Sequence, residues 1–174
     1  RDLNQLVIET FYNPAVEAYR IAFLDPDATE RQQTSALNCA RSLLGDLTAN
    51  QDYYLLYYQD AGLLYRTTFY IPAYRAYQTA LTTFESRGQN TDTESQWQAA
   101  RTSLAVMMSQ DASFAPPSDF LVEGSTTSLG QLLSAETLPS VGEMYFNTYY
   151  LPALAAFNNQ AWDEAQTHIA ALQT

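Results

Sequence analysis

Three segments of this chain share one pattern, and that recurrence restricts the fold more than any other feature. Thr10-Phe11-Tyr12-Asn13-Pro14-Ala15-Val16-Glu17-Ala18-Tyr19, Thr68-Phe69-Tyr70-Ile71-Pro72-Ala73-Tyr74-Arg75-Ala76-Tyr77 and Thr148-Tyr149-Tyr150-Leu151-Pro152-Ala153-Leu154-Ala155-Ala156-Phe157 all read threonine, aromatic, tyrosine, any, proline, alanine, two of any kind, alanine, aromatic. The second and third agree further upstream, since Gly62 and Tyr65 precede Pro72 at the distances by which Gly142 and Tyr145 precede Pro152. A trailing block follows each: Cys39-Ala40-Arg41-Ser42-Leu43-Leu44 resembles Ala99-Ala100-Arg101-Thr102-Ser103-Leu104 and, more faintly, Glu164-Ala165-Gln166-Thr167-His168-Ile169. From Pro14 to Pro72 is 58 positions and from Arg41 to Arg101 is 60, so the unit is about sixty residues, with the third copy displaced by an insertion.

Both blocks carry the helical period. Phe11, Ala15, Ala18 and Ala22 recur at spacings of three and four, as do Phe69, Ala73, Ala76 and Ala80, and Leu37, Ala40, Leu44 and Leu47 in the trailing block. Strand signals are weak, with few valines and isoleucines and no clean alternation between turn dipeptides. The expectation is a single all-α domain over residues 1–174: an irregular helical bundle or solenoid of three diverged helical-hairpin units at 3–50, 53–109 and 128–174, with proline-kinked long helices. An irregular insertion at 110–127 contains Phe114, Phe120, Leu121 and Val122, so part of it should pack down. Capping-box spacing at Asp27 and Glu30, at Thr91 and Glu94, and at Ser128 and Gln131 marks expected helix starts.

The repeated proline sits where apolar periodicity already runs, through Leu3, Leu6 and Val7 and through Leu56, Leu63 and Leu64. A long helix passing through the proline with a kink is therefore expected over one that begins there. Such a proline lacks an amide and crowds the carbonyl four residues back, a defect of about 3 kcal/mol unless compensated. That carbonyl belongs to Thr10, Thr68 and Thr148, so the threonine hydroxyl or a water is expected to repair the ladder.

The charge balance bounds the partners. Eight basic residues, all arginine, face nineteen acidic ones for a net charge of -11, a field that repels nucleic-acid backbones and anionic lipid heads. Apolar runs are short, so no membrane insertion is expected. The absence of lysine and an Arg1 start fit an exported, processed chain, and the expected location is periplasmic or secreted.

Chemistry is sparsely represented. The lone cysteine, Cys39, lies in an apolar string and reads as a small buried hydrophobe. The lone histidine, His168, stands four residues after Glu164 near the end of the last helix, a setting for a salt bridge. One histidine cannot supply a di-iron bundle, no glycine-rich phosphate loop occurs, and no carboxylate pair stands out among Asp52, Asp60, Glu85, Asp119, Glu123 and Glu143. No cofactor or metal is expected, and the chain reads as more binding module than enzyme.

Tyrosine is the unusual residue. Of thirteen, eight fall between Tyr53 and Tyr77. A tyrosine couples a broad apolar body to a polar tip, which suits interfaces and sugar- or peptide-binding surfaces. Tyr12, Tyr70 and Tyr150 recur with the repeat and read as structural. Tyr53, Tyr54, Tyr57, Tyr58 and Tyr74, with Arg66 and Arg75 to pair with a carboxylate, are the candidate binding residues.

The last unit, Ala153-Leu154-Ala155-Ala156-Phe157-Asn158-Asn159-Gln160-Ala161-Trp162-Asp163-Glu164-Ala165, resembles the helix-turn-helix of a tetratricopeptide repeat over about thirty residues. The first two units depart from that pattern, with longer connectors and a proline the family lacks. The resemblance implies a stacked-hairpin scaffold that binds peptides or proteins. The function expected from the whole is a non-catalytic helical-repeat module for a protein, peptide or other extended partner. The alternatives are an accessory or substrate-recognition domain of a larger secreted hydrolase, or a small-molecule or sugar-binding helical domain.

Overall fold

Alanine-rich stripes at spacings of three and four produce helix along most of the described residues. The computed structural model describes residues 2–50 and 59–173. In order these form α1 (Leu3–Val7), a π-helical turn (Ile8–Tyr12), α2 (Asn13–Phe23), α3 (Glu30–Ala49), α4 (Gln59–Arg87), α5 (Thr91–Asp111), α6 (Leu129–Leu133), α7 (Val141–Asn158) and α8 (Trp162–Leu172). Among the described residues the only extended pairing is one isolated antiparallel bridge, Leu121 to Ser128. The protein is all-helical.

Helix starts fall close to the expected places, with two displacements. The α3 cap is Thr29, not Asp27: its Oγ1 accepts from the Gln32 amide at 3.3 Å while Gln32 Oε1 accepts from the Thr29 amide at 2.8 Å. The Asp27 amide instead donates to Asp25 Oδ1 at 2.9 Å, so that segment closes a local turn and the helix starts later. At α5 the cap is Asn90, whose side chain accepts from the Thr93 amide at 2.9 Å, and Thr91 is the first helical residue. Gly88, at φ +70, supplies the left-handed step before it. Ser128 and Gln131 form the reciprocal box expected of them before α6.

The chain divides into two compact units, Arg1–Thr68 with Pro116–Thr137, and Phe69–Ala115 with Leu138–Thr174. In the first, α2 packs on α3, burying Ala15, Ala18, Tyr19 and Ala22 from one and Ala36, Ala40, Leu44 and Leu47 from the other. The Tyr19 hydroxyl, fully buried, shares a hydrogen bond with Thr67 Oγ1 at 2.8 Å. Cys39 is exposed, contrary to expectation, because the buried stripe of α3 runs through positions 36, 40, 44 and 47 and position 39 lies off it. The 116–137 segment packs through Val122, Leu129 and Leu133 and leaves Leu121 half exposed. It is pinned by the Gly130 amide on the Ser118 carbonyl at 2.8 Å.

In the second unit α7 packs against both α5 and α8. Trp97, Ala100, Leu104 and Met107 of α5 and Val141, Met144, Ala153 and Ala156 of α7 are buried. Tyr77 and Phe84 of α4 bring their rings to 6.1 and 5.8 Å from Trp97. The start of α7 is fixed by the Val141 and Gly142 amides, which donate to the carbonyls of Phe114 and Ala112 at 3.0 and 2.7 Å.

Pro72 and Pro152 lie inside α4 and α7, as continuous helices require. The ladder is repaired differently from the expectation. Thr68 and Thr148 use their hydroxyls on the carbonyls three residues back, Tyr65 at 2.6 Å and Tyr145 at 2.7 Å. Their own carbonyls, stripped of an amide donor by the prolines, accept from arginine: Arg41 Nη2 donates to Thr68 O at 2.7 Å, and Arg101 Nη2 donates to Thr148 O. A hydroxyl that bonds backward along its helix cannot also serve its own carbonyl, and a guanidinium reaching from another helix can. At Pro14 the accommodation is a π-helical turn, with the Asn13 amide on the Ile8 carbonyl, after which α2 begins.

Candidate functional site

Helix α7 is apolar on two sides. Its buried side comprises Val141, Met144, Thr148, Pro152, Ala153 and Ala156. On the other, Phe146, Tyr150, Leu154 and Phe157 are 47, 43, 40 and 56% exposed. Spacings of four, four and three set those residues in one stripe, about 16 Å long at the helical rise. Phe146 and Tyr150 stack at 5.3 Å.

The α7–α8 turn extends the stripe onto a second helix. Gln160 takes a left-handed conformation at φ +59, and the Ala161 amide reaches back to the Ala156 carbonyl at 2.9 Å. This is the Schellman closure, which turns the chain sharply. It returns Trp162, 56% exposed, against Phe157 with ring centroids 5.1 Å apart, edge to face. Ile169, seven residues beyond Trp162 and half exposed, shares its face of α8. Six half-exposed large side chains of roughly 200 Å² each amount to about 500–600 Å² of apolar surface, at the upper end of what a monomer ordinarily leaves in water.

The opposite side of α7 is held by a buried charge. Arg101, 7% exposed in its side chain, donates to Glu94 Oε1 at 2.6 Å, to Thr148 Oγ1 at 3.3 Å and to the Thr148 carbonyl, and lies 4.0 Å above the Tyr149 ring. Glu94, freed from capping, also accepts from Gln89 Nε2 at 2.8 Å. Burial, reinforced by its hydrogen bond and proximity to Tyr145, pushes the Tyr149 phenol above its ordinary pKa, against the lowering effect of Arg101.

On α7 and α8 themselves the formal charges are all acidic. Glu143 is exposed one turn before Phe146, and Asp163 is exposed directly after Trp162. Beyond Arg101 the sequence has no lysine or arginine, and it has seven acidic residues.

Of the residues expected to bind, Tyr53, Tyr54, Tyr57 and Tyr58 lie outside the described residues. Arg66 is half-buried in the first unit, while Tyr74 and Arg75 belong to the second. Arg75 is exposed, but Tyr74 is 5% exposed and is a core residue. It stacks on Tyr70 at 6.0 Å and accepts from Gln78 Nε2, because positions 70, 74 and 77 fall on one buried face of α4. Burial raises the pKa of all three phenols, that of Tyr70 the most. Tyr150, read as structural, is by contrast on the exposed stripe. The signal that marks the stripe in the sequence is the 146, 150, 154, 157 spacing on a helix whose opposite side is also apolar, more than a two-sided pack needs.

A concavity of about 750 Å³ in the same unit is lined by polar residue types that include Asn90, Glu94, Gln98, Glu164, Thr167 and His168. His168 Nε2 lies 3.9 Å from Glu164 Oε1, the ion pair that its spacing suggests, formed when the imidazole is protonated. Among the described residues no cluster of three or more histidine, cysteine or carboxylate groups is placed to hold a metal ion, and no helix is long and apolar enough to cross a membrane.

Comparison with family models, curated proteins and solved structures finds no match to this chain.

Proposed function

We propose that the chain is a non-catalytic helical-repeat module that binds a protein or peptide, and that its contact surface is the exposed side of α7 continued by Trp162 and Ile169. The observation that carries this reading is the run Phe146, Tyr150, Leu154 and Phe157, four large apolar side chains in register on a helix whose packing needs are met by its other side. Rigid aromatic side chains provide contact area at low entropic cost and dominate binding energies at interfaces. The recurrence of an arginine-to-carbonyl contact one turn before Pro72 and before Pro152 supports the repeat. An exported location accords with the lysine-free, acidic composition.

The test is site-specific photo-crosslinking in native extract, with the reactive group at Leu154 and, as a control, at exposed Ser42 of α3. A discrete adduct is expected from position 154 alone, lost when Phe157→Ser is added. The same adducts from both positions, or none from 154, would overturn the assignment.

A further inference from the structure

The chemistry around the stripe also selects its partner. We propose that the α7–α8 surface takes a cationic amphipathic helix from another polypeptide, its apolar side on Phe146, Tyr150, Leu154, Phe157 and Trp162 and its basic residues against Glu143 and Asp163. This proposal rests on the binding-module reading above and adds the class of partner.

Shape argues for a helix. The stripe runs about 16 Å along one helix, and its residues recur at four, four and three, the repeat met by anchors at i, i+3 or i+4 and i+7 on a partner helix. With Trp162 and Ile169 the apolar surface of about 500–600 Å² covers the central part of a standard interface side of about 800 Å² and leaves a polar rim to complete it. That rim is anionic at both ends: Glu143 stands before Phe146, Asp163 follows Trp162, and no arginine or lysine lies beyond Arg101.

Charge then decides between occupants. A second copy docked antiparallel would set Glu143 of each stripe toward the Asp163 end of the other. Docked parallel, it would set Glu143 against Glu143. Both arrangements juxtapose like charges with no lysine or arginine on α7 or α8 to relieve them, and on a chain of net charge -11 the mismatch is general. An anionic lipid surface meets the same repulsion. A helix carrying lysine or arginine beside its apolar side satisfies both the stripe and its ends, and its on-rate gains from the field.

The experiment uses two synthetic 18-residue helical peptides of one apolar pattern, one with lysine and one with glutamate at every polar position. Phosphatidylcholine vesicles form a third arm. Trp162 is 56% exposed and Trp97 fully buried, so shielding of tryptophan fluorescence from acrylamide reports on the stripe. The lysine peptide is expected to bind at least tenfold more tightly than the glutamate peptide in low salt, with the gap closing as salt rises. Phe157→Ser should abolish shielding while leaving circular dichroism and melting unchanged. Glu143→Lys with Asp163→Lys should narrow the preference, each exchange adding two positive charges so that the net charge goes from -11 to -7. Equal binding of both peptides, lost in Phe157→Ser, would overturn the cationic class and leave the binding-module reading standing. Shielding by vesicles but by neither peptide would replace a protein partner with lipid. No shielding in any arm, or shielding indifferent to Phe157→Ser, would remove the surface and both readings together.

Discussion

Arg101 donates a hydrogen bond to the backbone carbonyl of Thr148, 47 positions away and four residues before Pro152. The proline has removed the amide that would occupy that carbonyl, and the guanidinium takes its place. Arg41 stands in the same relation to Thr68 and Pro72. The lost helical bond is thus replaced by a tertiary one that ties α7 to α5. The stripe on the far side of α7 is presented by a helix anchored through its proline.

Removing Arg101 should therefore be severe. Arg101→Met leaves a buried carbonyl, Thr148 Oγ1 and Glu94 without their donor, at a loss of about 3–5 kcal/mol. Arg101→Lys should not rescue it, because a single ammonium cannot span three acceptors that the planar guanidinium reaches together. Pro152→Ala restores an amide for the Thr148 carbonyl, so Arg101→Met should cost about 1 kcal/mol less in that background. A urea-unfolding double-mutant cycle measures this coupling, and additivity to within about 0.5 kcal/mol would refute the repair mechanism.

Alkali should weaken the second unit through its buried phenols. Tyr70, Tyr74, Tyr77 and Tyr149 have folded pKa values raised above their ordinary 10, chiefly by burial. The folded state therefore keeps phenol protons that the unfolded chain releases. Their stabilisation is fully present below pH 10 and falls as pH rises above it, with a slope of up to about 1.4 kcal/mol per pH unit for each group. Unfolding free energies measured from pH 8 to 11.5 should show this decline, and Tyr70→Phe should make it shallower. A flat profile would mean that these phenols are solvated.

The two matched glycines should respond in opposite directions. A Cβ at Gly62 meets nothing within 4 Å, so Gly62→Ala inside α4 should stabilise by about 0.5–1 kcal/mol. At Gly142 the same atom would lie 3.0 Å from the Ala112 carbonyl oxygen, which the Gly142 amide already bonds, so Gly142→Ala should lower the melting temperature. Equal shifts of one sign would contradict the packing described at the start of α7.

Local signals in the sequence were enough for the helices, because Ala15, Ala18 and Ala22 and Ala36, Ala40 and Leu44 state their buried faces through spacing alone. Helix starts slipped where a neighbouring side chain closes a local turn first, as Asp25 does on the Asp27 amide, leaving Thr29 to cap the helix at the Gln32 amide. The role of the arginines was not legible: Arg41 and Arg101 are visible as matched positions, but their acceptors lie 27 and 47 residues away and become neighbours only on folding. Tyrosine misled for a related reason. Its ring satisfies core and surface alike, so Tyr74 is buried and Tyr150 exposed, and the outward stripe of α7 could not be told from the inward one by composition.

The two-sided character of α7 is the claim on which the function rests, and urea unfolding tests it most directly. Phe146→Gln, Tyr150→Gln and Phe157→Gln combined should change the unfolding free energy by no more than about 1.5 kcal/mol, since each is a surface substitution into a good helix former. Met144→Ala on the buried side should by itself cost about 2–5 kcal/mol. A triple glutamine variant as unstable as Met144→Ala would show that the stripe holds the fold together, and the surface would no longer be free for a partner.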